Sequence, residues 1–166
     1  MVWRIFVLAV ALAAAVWDLE WRRIPKWLSL PAAAAGLLYH FIAGGLGGAL
    51  AALLLGLGLG VLLLQLGAIA GGDVKWLGAV GALLGLRLWF WSLEFGLLAA
   101  GLMALGQMAR RGRLAFVFDD LGAVIAGWRT HGLRANPEHS IDTPGAITAP
   151  FAVAMLAGVA CALLVL

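Results

Sequence analysis

Apolar residues fall in long, almost uninterrupted blocks separated by short polar links. A helix needs about 20 mostly apolar residues to cross a bilayer. The blocks predict six such spans, over residues 2–17, 27–42, 46–70, 74–86, 89–109 and 147–166. Pro25 can open the second helix, and Gly44, Gly45, Gly47 and Gly48 predict the turn into the third. Gly56, Gly58 and Gly60 permit close helix approach within the third span. The fourth span is too short to cross alone, so its helix starts inside the membrane face or the bilayer thins there. Irregular backbone at that depth must be covered by protein or line a water-filled cavity, which makes the link 71–75 a candidate cavity lining. Residues 110–146 form the longest polar region. Within it, 114–128 reads as an amphipathic surface segment exposing Asp119 and Asp120, and 133–143 reads as loop.

Six spans place alternate links on alternate sides. The links after spans one, three and five carry Arg22, Arg23, Lys26, Lys75, Arg110, Arg111, Arg113, Arg129 and Arg134, nine of the eleven basic residues. The other side holds only Arg4 and Arg87. The positive-inside rule then puts the basic side in the cytoplasm and both termini outside.

Composition agrees with this layout. The 166 residues are 64% hydrophobic and 11% charged, against about 25% charged in soluble domains, and the mean hydropathy is +1.06. The expected fold is an all-α integral membrane protein, a six-transmembrane-helix bundle forming one domain over 1–166. The net charge of +3 then reports loop charges that set topology, not a nucleic-acid partner. Arg4 followed by an apolar run and the small residues of Ala11–Ala15 could pass for a secretory signal. Cleavage there would strip the segment that holds Asp18 in the membrane, so an uncleaved first span is the simpler reading. Cys161 stands alone, and His40, His131 and His139 are scattered. No internal disulfide, metal site or cofactor is expected.

Against this apolar background, residues 69–76 stand out: I-A-G-G-D-V-K-W. A carboxylate at that depth is costly without a partner or a task. Gly71 and Gly72 leave the backbone before Asp73 open to water or another chain. Asp18, at the end of the first span, is the other acid in an apolar setting. The topology puts both on the cytoplasmic side at similar depth, where a five-span count would separate them. Two facing carboxylates share a proton and titrate as a unit. The ionised member can take a proton from water while the protonated member hydrogen-bonds the carbonyl under attack.

Plainer readings stand beside these. Asp18 could be a solvated helix-end acid or pair with Arg22 or Arg23. Asp73 could be the N-cap of a helix beginning at Val74. Lys75 reads as a snorkelling side chain, and Arg110, Arg111 and Arg113 as a topology anchor. Trp17, Trp21, Trp27 and Trp76 read as an interfacial belt. Glu94 falls on the opposite side and is left out of the site. Ser29, Ser92 and Ser140 have no His–Asp pattern near them in sequence.

Three stretches together resemble the type IV prepilin peptidases, membrane aspartic proteases of the G-x-G-D type. Residues 18–26, D-L-E-W-R-R-I-P-K, resemble the family's first aspartate followed by I-P, usually then Asn. Residues 70–75, A-G-G-D-V-K, resemble G-x-G-D-V/I-K. Residues 150–158, P-F-A-V-A-M-L-A-G, are similar to the P-Y-G-x-A-I-A-x-G run that opens the last helix. The chain departs at Ala70, where the family has its first glycine, at Lys26, where it usually has Asn, and at Phe151, where it has Tyr. Ala70 is expected to tighten the backbone near Asp73, and Lys26 to bring a cation near Asp18.

The resemblance implies an aspartic endopeptidase with Asp18 and Asp73 as its catalytic pair. Its expected partners are the lipid bilayer and a prepilin-like precursor with a basic leader and an apolar helix, cut on the cytoplasmic side of the plasma (inner) membrane. The chain looks like the short form found in tight-adherence (Flp) pilus or archaeal preflagellin systems, and with no paired cysteines it implies peptidase without methyltransferase. Two other classes remain open: a non-catalytic pilus assembly protein on the same fold, and a proton-coupled transporter using the two aspartates as a relay.

Overall fold

The computed structural model describes residues 1–112, 122 and 150–165. All regular elements in these residues are helices: α1 (Val2–Trp21), α2 (Lys26–Ile42), α3 (Leu46–Gln65), α4 (Gly71–Arg110) and α5 (Phe151–Val165). Three of them, α1, α3 and α4, are long and apolar enough to cross a membrane. Apart from residue 122, the expected surface segment 114–128 and the loop 133–143 lie outside the described residues.

α4 is not one rod. Gly85 breaks it with φ 71° and ψ 170°, a backbone that glycine adopts without strain. Gly60, Gly56 and Gly48 of α3 pack on Val74, Leu77–Gly78 and Leu86 in turn, so α3 runs antiparallel to the first part of α4. Ile24 meets Gly72, and Gly36 meets Ala82 and Leu83, so α2 runs parallel to that part. Beyond Gly85 the direction reverses: Gly158 of α5 packs on Ser92, while Gly96 packs on Ala154 and Met155. α1 and α5 are antiparallel as well, with Asp18 joined to Ala152 at one end and Arg4 to the Leu163 carbonyl at the other. The helical segments therefore alternate in direction, and Asp18, Gly72 and Ala152 share one end of the bundle.

Hydrophobicity does not select the inward faces, because nearly every face is apolar. Size does. The buried residues of α3 are Ala49, Ala52, Gly56 and Gly60, a stripe of small residues that lets backbones approach closely. A Cβ on Gly56 would stand 2.7 Å from the Leu77 carbonyl oxygen, whereas one on Gly58 would meet nothing within 4 Å. Of the three glycines expected to mediate close approach, Gly58 instead faces outward.

The reversal at Gly85 interrupts the i→i+4 bonds that span it. Two side chains serve the Leu83 carbonyl instead. Trp3 Nε1 donates at 3.2 Å, and His40 Nε2, in the tautomer that carries its proton there, at 3.3 Å. Trp3 also stacks on Tyr39 with ring centroids 3.9 Å apart. The far end of the bundle is thus fastened by α1 and α2 together. Trp3→Phe keeps the stack and deletes the donor. It should cost about 1 kcal/mol, read as a lower Tm of the protein in detergent.

Several boundaries differ from the sequence pattern. α1 continues through Asp18 to Trp21, so Asp18 lies in its last helical turn and not in the polar link. The helix stops where Arg22 turns left-handed, at φ 51°, and donates its N–H to the Asp18 carbonyl. α3 ends at Gln65, short of residue 70, because Gly67 takes φ 70°. α4 starts at Gly71, ahead of the expected 74. Trp76, expected in an interfacial belt, is 1% exposed. Trp21 and Trp27 are exposed and cluster with Trp17 at the aspartate end.

Candidate active site

Asp18 is 4% exposed and Asp73 is 9% exposed. Each carboxylate is held by a backbone N–H at the start of a helix. α5 begins after Pro150, which has no side-chain acceptor to cap the unpaired amides of the first turn. Asp18 supplies it from another helix, as its Oδ2 accepts from Ala152 N at 3.0 Å. That is the bond an N-cap side chain makes to the second residue of its own helix. The solvated helix-end reading of Asp18 does not hold.

Asp73 is the third residue of α4, and its Oδ2 accepts from Ala70 N at 3.0 Å. This is the returning half of a capping box; Ala70 has no side-chain acceptor to complete the other half. The N-cap expected of Asp73 is therefore Ala70, with Asp73 one helical turn in. Asp73 sits at the positive end of α4, which offsets part of the cost of its negative charge; Asp18 meets the positive end of α5 but lies at the negative end of its own helix. They share one end of the bundle.

The glycines before Asp73 have separate roles. Ala70 has φ −87° and ψ 161°, an extended conformation open to any residue, so the expected tightening is absent. A Cβ on Gly71 would meet nothing within 4 Å, but one on Gly72 would stand 3.1 Å from Ile24 O and 3.2 Å from Ile24 N. Gly72 is where the link from Asp18 to α2 lies against α4. Ala70→Gly should leave Tm little changed. Gly72→Val should cost about 1–3 kcal/mol by overpacking, as it pushes Ile24–Pro25 away from α4; thermal unfolding of the two variants reads both.

The other expected residues sort clearly. Lys26 is exposed as the first residue of α2, and Lys75 is exposed on α4. Ser92 Oγ donates to the Trp89 carbonyl at 2.9 Å. Glu94 is exposed beside Leu97 and Leu98, on the part of α4 beyond the reversal. Cys161 is a free cysteine exposed on α5. Among the described residues no three His, Cys, Asp or Glu side chains are grouped to hold a metal. The pattern reading passed over Ser29 and misplaced Trp76, both buried. Their signal was spacing: Ser29, Gly36 and His40 fall at i, i+7 and i+11 on one face of α2, and Trp76 follows Asp73 by three residues.

No curated protein and no solved structure matches the chain. Among protein families, residues 5–106 match the type IV leader peptidase family. That stretch contains both aspartates, the Ile24–Pro25 link and the whole A-G-G-D-V-K segment. With that match over more than half its length, the chain belongs to the type IV leader peptidase family.

Proposed function

We propose that this protein is an aspartic endopeptidase that removes the basic leader from type IV prepilin-like precursors at the cytoplasmic face of the plasma membrane. Two buried carboxylates at one end of the bundle, each accepting a backbone N–H at the start of a helix, carry the reading. The ionised aspartate takes a proton from water, whose oxygen bonds to the scissile carbonyl carbon. The protonated aspartate donates to the carbonyl oxygen. Collapse of the tetrahedral intermediate breaks the C–N bond, and the proton taken from water passes to the leaving amine. No covalent enzyme intermediate forms.

The charge distribution supports the orientation. Arg22, Arg23, Lys26, Lys75, Arg110 and Arg111 lie at the aspartate end, with Arg4 and Arg87 at the other. By the positive-inside rule this puts the aspartates at the cytoplasm. In this reading α2, α5 and both parts of α4 cross the membrane as well, giving six crossings. The first part of α4 has 14 residues before Gly85 and so spans only about 21 Å, which leaves the aspartate end below the bilayer surface but reachable by water.

Co-expression with a prepilin-like precursor tests the reading: the precursor should shorten on a gel by the length of its leader. A precursor that stays full length beside abundant membrane-inserted protein would sink it.

A further inference from the structure

Two buried polar side chains near Asp73 have no hydrogen-bond partner among the described residues: Ser29 Oγ and Trp76 Nε1. Ser29 is 2% exposed and Trp76 is 1% exposed. Leaving a buried donor unpartnered is destabilising, so a pair of them beside the proposed site asks for an explanation.

Their places follow from the packing register. α2 and the first part of α4 run in parallel, with Ile24 against Gly72 and Gly36 against Ala82. Ser29, between those two contacts, comes level with Trp76. Ser29 shares its face of α2 with Gly36 and His40, which both pack on α4. Trp76 lies about 4.5 Å along α4 from Asp73, toward the middle of the bundle. A third unpartnered donor, Trp89 Nε1, lies just beyond the Gly85 reversal, toward the opposite end.

The chemistry of the proposed substrate suggests what they meet. A peptidase cuts extended backbone, and extended backbone at membrane depth leaves its carbonyls without partners. The apolar segment after the scissile bond has no side-chain acceptors, so those carbonyls are what it can offer. Trp76 has only an N–H to give, and Ser29 an O–H.

We propose that Ser29 Oγ and Trp76 Nε1 form a backbone-binding station in the α2/α4 seam. They donate to precursor carbonyls on the apolar side of the cut, so that the scissile bond is held beside Asp73. This rests on the endopeptidase reading above.

The test is binding without turnover. The probe is a synthetic peptide with a basic leader joined to an apolar segment, and the protein is the full chain in nanodiscs carrying Asp18→Asn. Adding Ser29→Ala or Trp76→Phe should weaken peptide binding about 3- to 10-fold each, the loss of one hydrogen bond. Ser29→Ala should leave Tm unchanged or raise it, because it deletes an unpartnered buried donor; Trp76→Phe also empties buried volume and lowers Tm, so the Tm criterion is read on Ser29→Ala. Ser29→Thr should restore binding. Equal affinity in parent and variants, or weaker binding of Ser29→Ala only in step with a lower Tm, overturns the station while leaving the endopeptidase reading intact. If no form binds the peptide, both fail. If peptide binds as expected but the unsubstituted protein does not cut it, the endopeptidase reading fails alone.

Discussion

Asp73→Asn and Asp18→Asn should each reduce precursor cleavage by about 10²–10⁴-fold, the usual worth of a positioned acid or base, while the protein stays folded in the membrane. The structure explains why folding should survive. Among the described residues, each aspartate accepts a backbone N–H through its Oδ2, Asp73 from Ala70 and Asp18 from Ala152. An asparagine keeps a carbonyl oxygen for that bond, so the start of α4 and the docking of α5 on α1 are preserved. What asparagine cannot do is take a proton from water or share one with its partner. Alanine would be the poorer test. Asp18→Ala deletes the cap of α5 as well as the carboxylate, and a loss of activity would then mix chemistry with about 1 kcal/mol or more of lost capping. Tm measured beside cleavage separates the two effects.

Gly36→Leu should be the most damaging change away from the aspartates. A Cβ at Gly36 would stand 2.5 Å from Ala82 C and O and 2.6 Å from Leu83 N. These are backbone atoms of α4, which cannot swing aside as a side-chain tip can. α2 would have to leave α4, and the His40 contact to the Leu83 carbonyl one turn further on would go with it. The cost should reach about 3 kcal/mol, the upper end for overpacking, and appear as a large fall in Tm with poor recovery of folded protein. Gly58→Leu is the matched control. It sits on the same kind of apolar helix with nothing within 4 Å of the added carbon, and it should change Tm little.

These two predictions also mark what the sequence could and could not say. The blocks of apolar residues located the helices among the described residues, and counting segments is what raised the expectation that Asp18 and Asp73 lie on one side. The reversal near residues 85–87 was legible because the block from 74 to 109 is too long for one crossing. The ends of the helices were harder. Asp18 and Glu20 look like the start of a polar link, yet polar residues do not stop a helix, and α1 ends only where Arg22 turns left-handed. The apolar run through 70 hid the end of α3, although Gly67 was there to signal it.

Inward faces were the least legible feature. Where almost every residue is apolar, burial follows side-chain size and helix register, and a hydrophobic pattern carries neither. Tryptophan is common at membrane interfaces, which made Trp76 look like a fourth member of the Trp17, Trp21 and Trp27 group. Its place three residues after Asp73 turns it inward instead. Ala70 misled for a related reason. A glycine in a motif suggests a backbone that only glycine can adopt, but the conformation here is ordinary. The glycine that matters for packing is Gly72, pressed against Ile24.

The central claim is that Asp18 and Asp73 together activate water for one hydrolytic cut. Its most direct test is cleavage of a purified precursor by the protein in proteoliposomes, in water enriched in oxygen-18, followed by mass spectrometry of the released leader. The unsubstituted protein should yield a leader whose new carboxylate carries one labelled oxygen, and Asp18→Asn and Asp73→Asn should yield no leader above background. Leader released at a comparable rate by either variant would contradict the account.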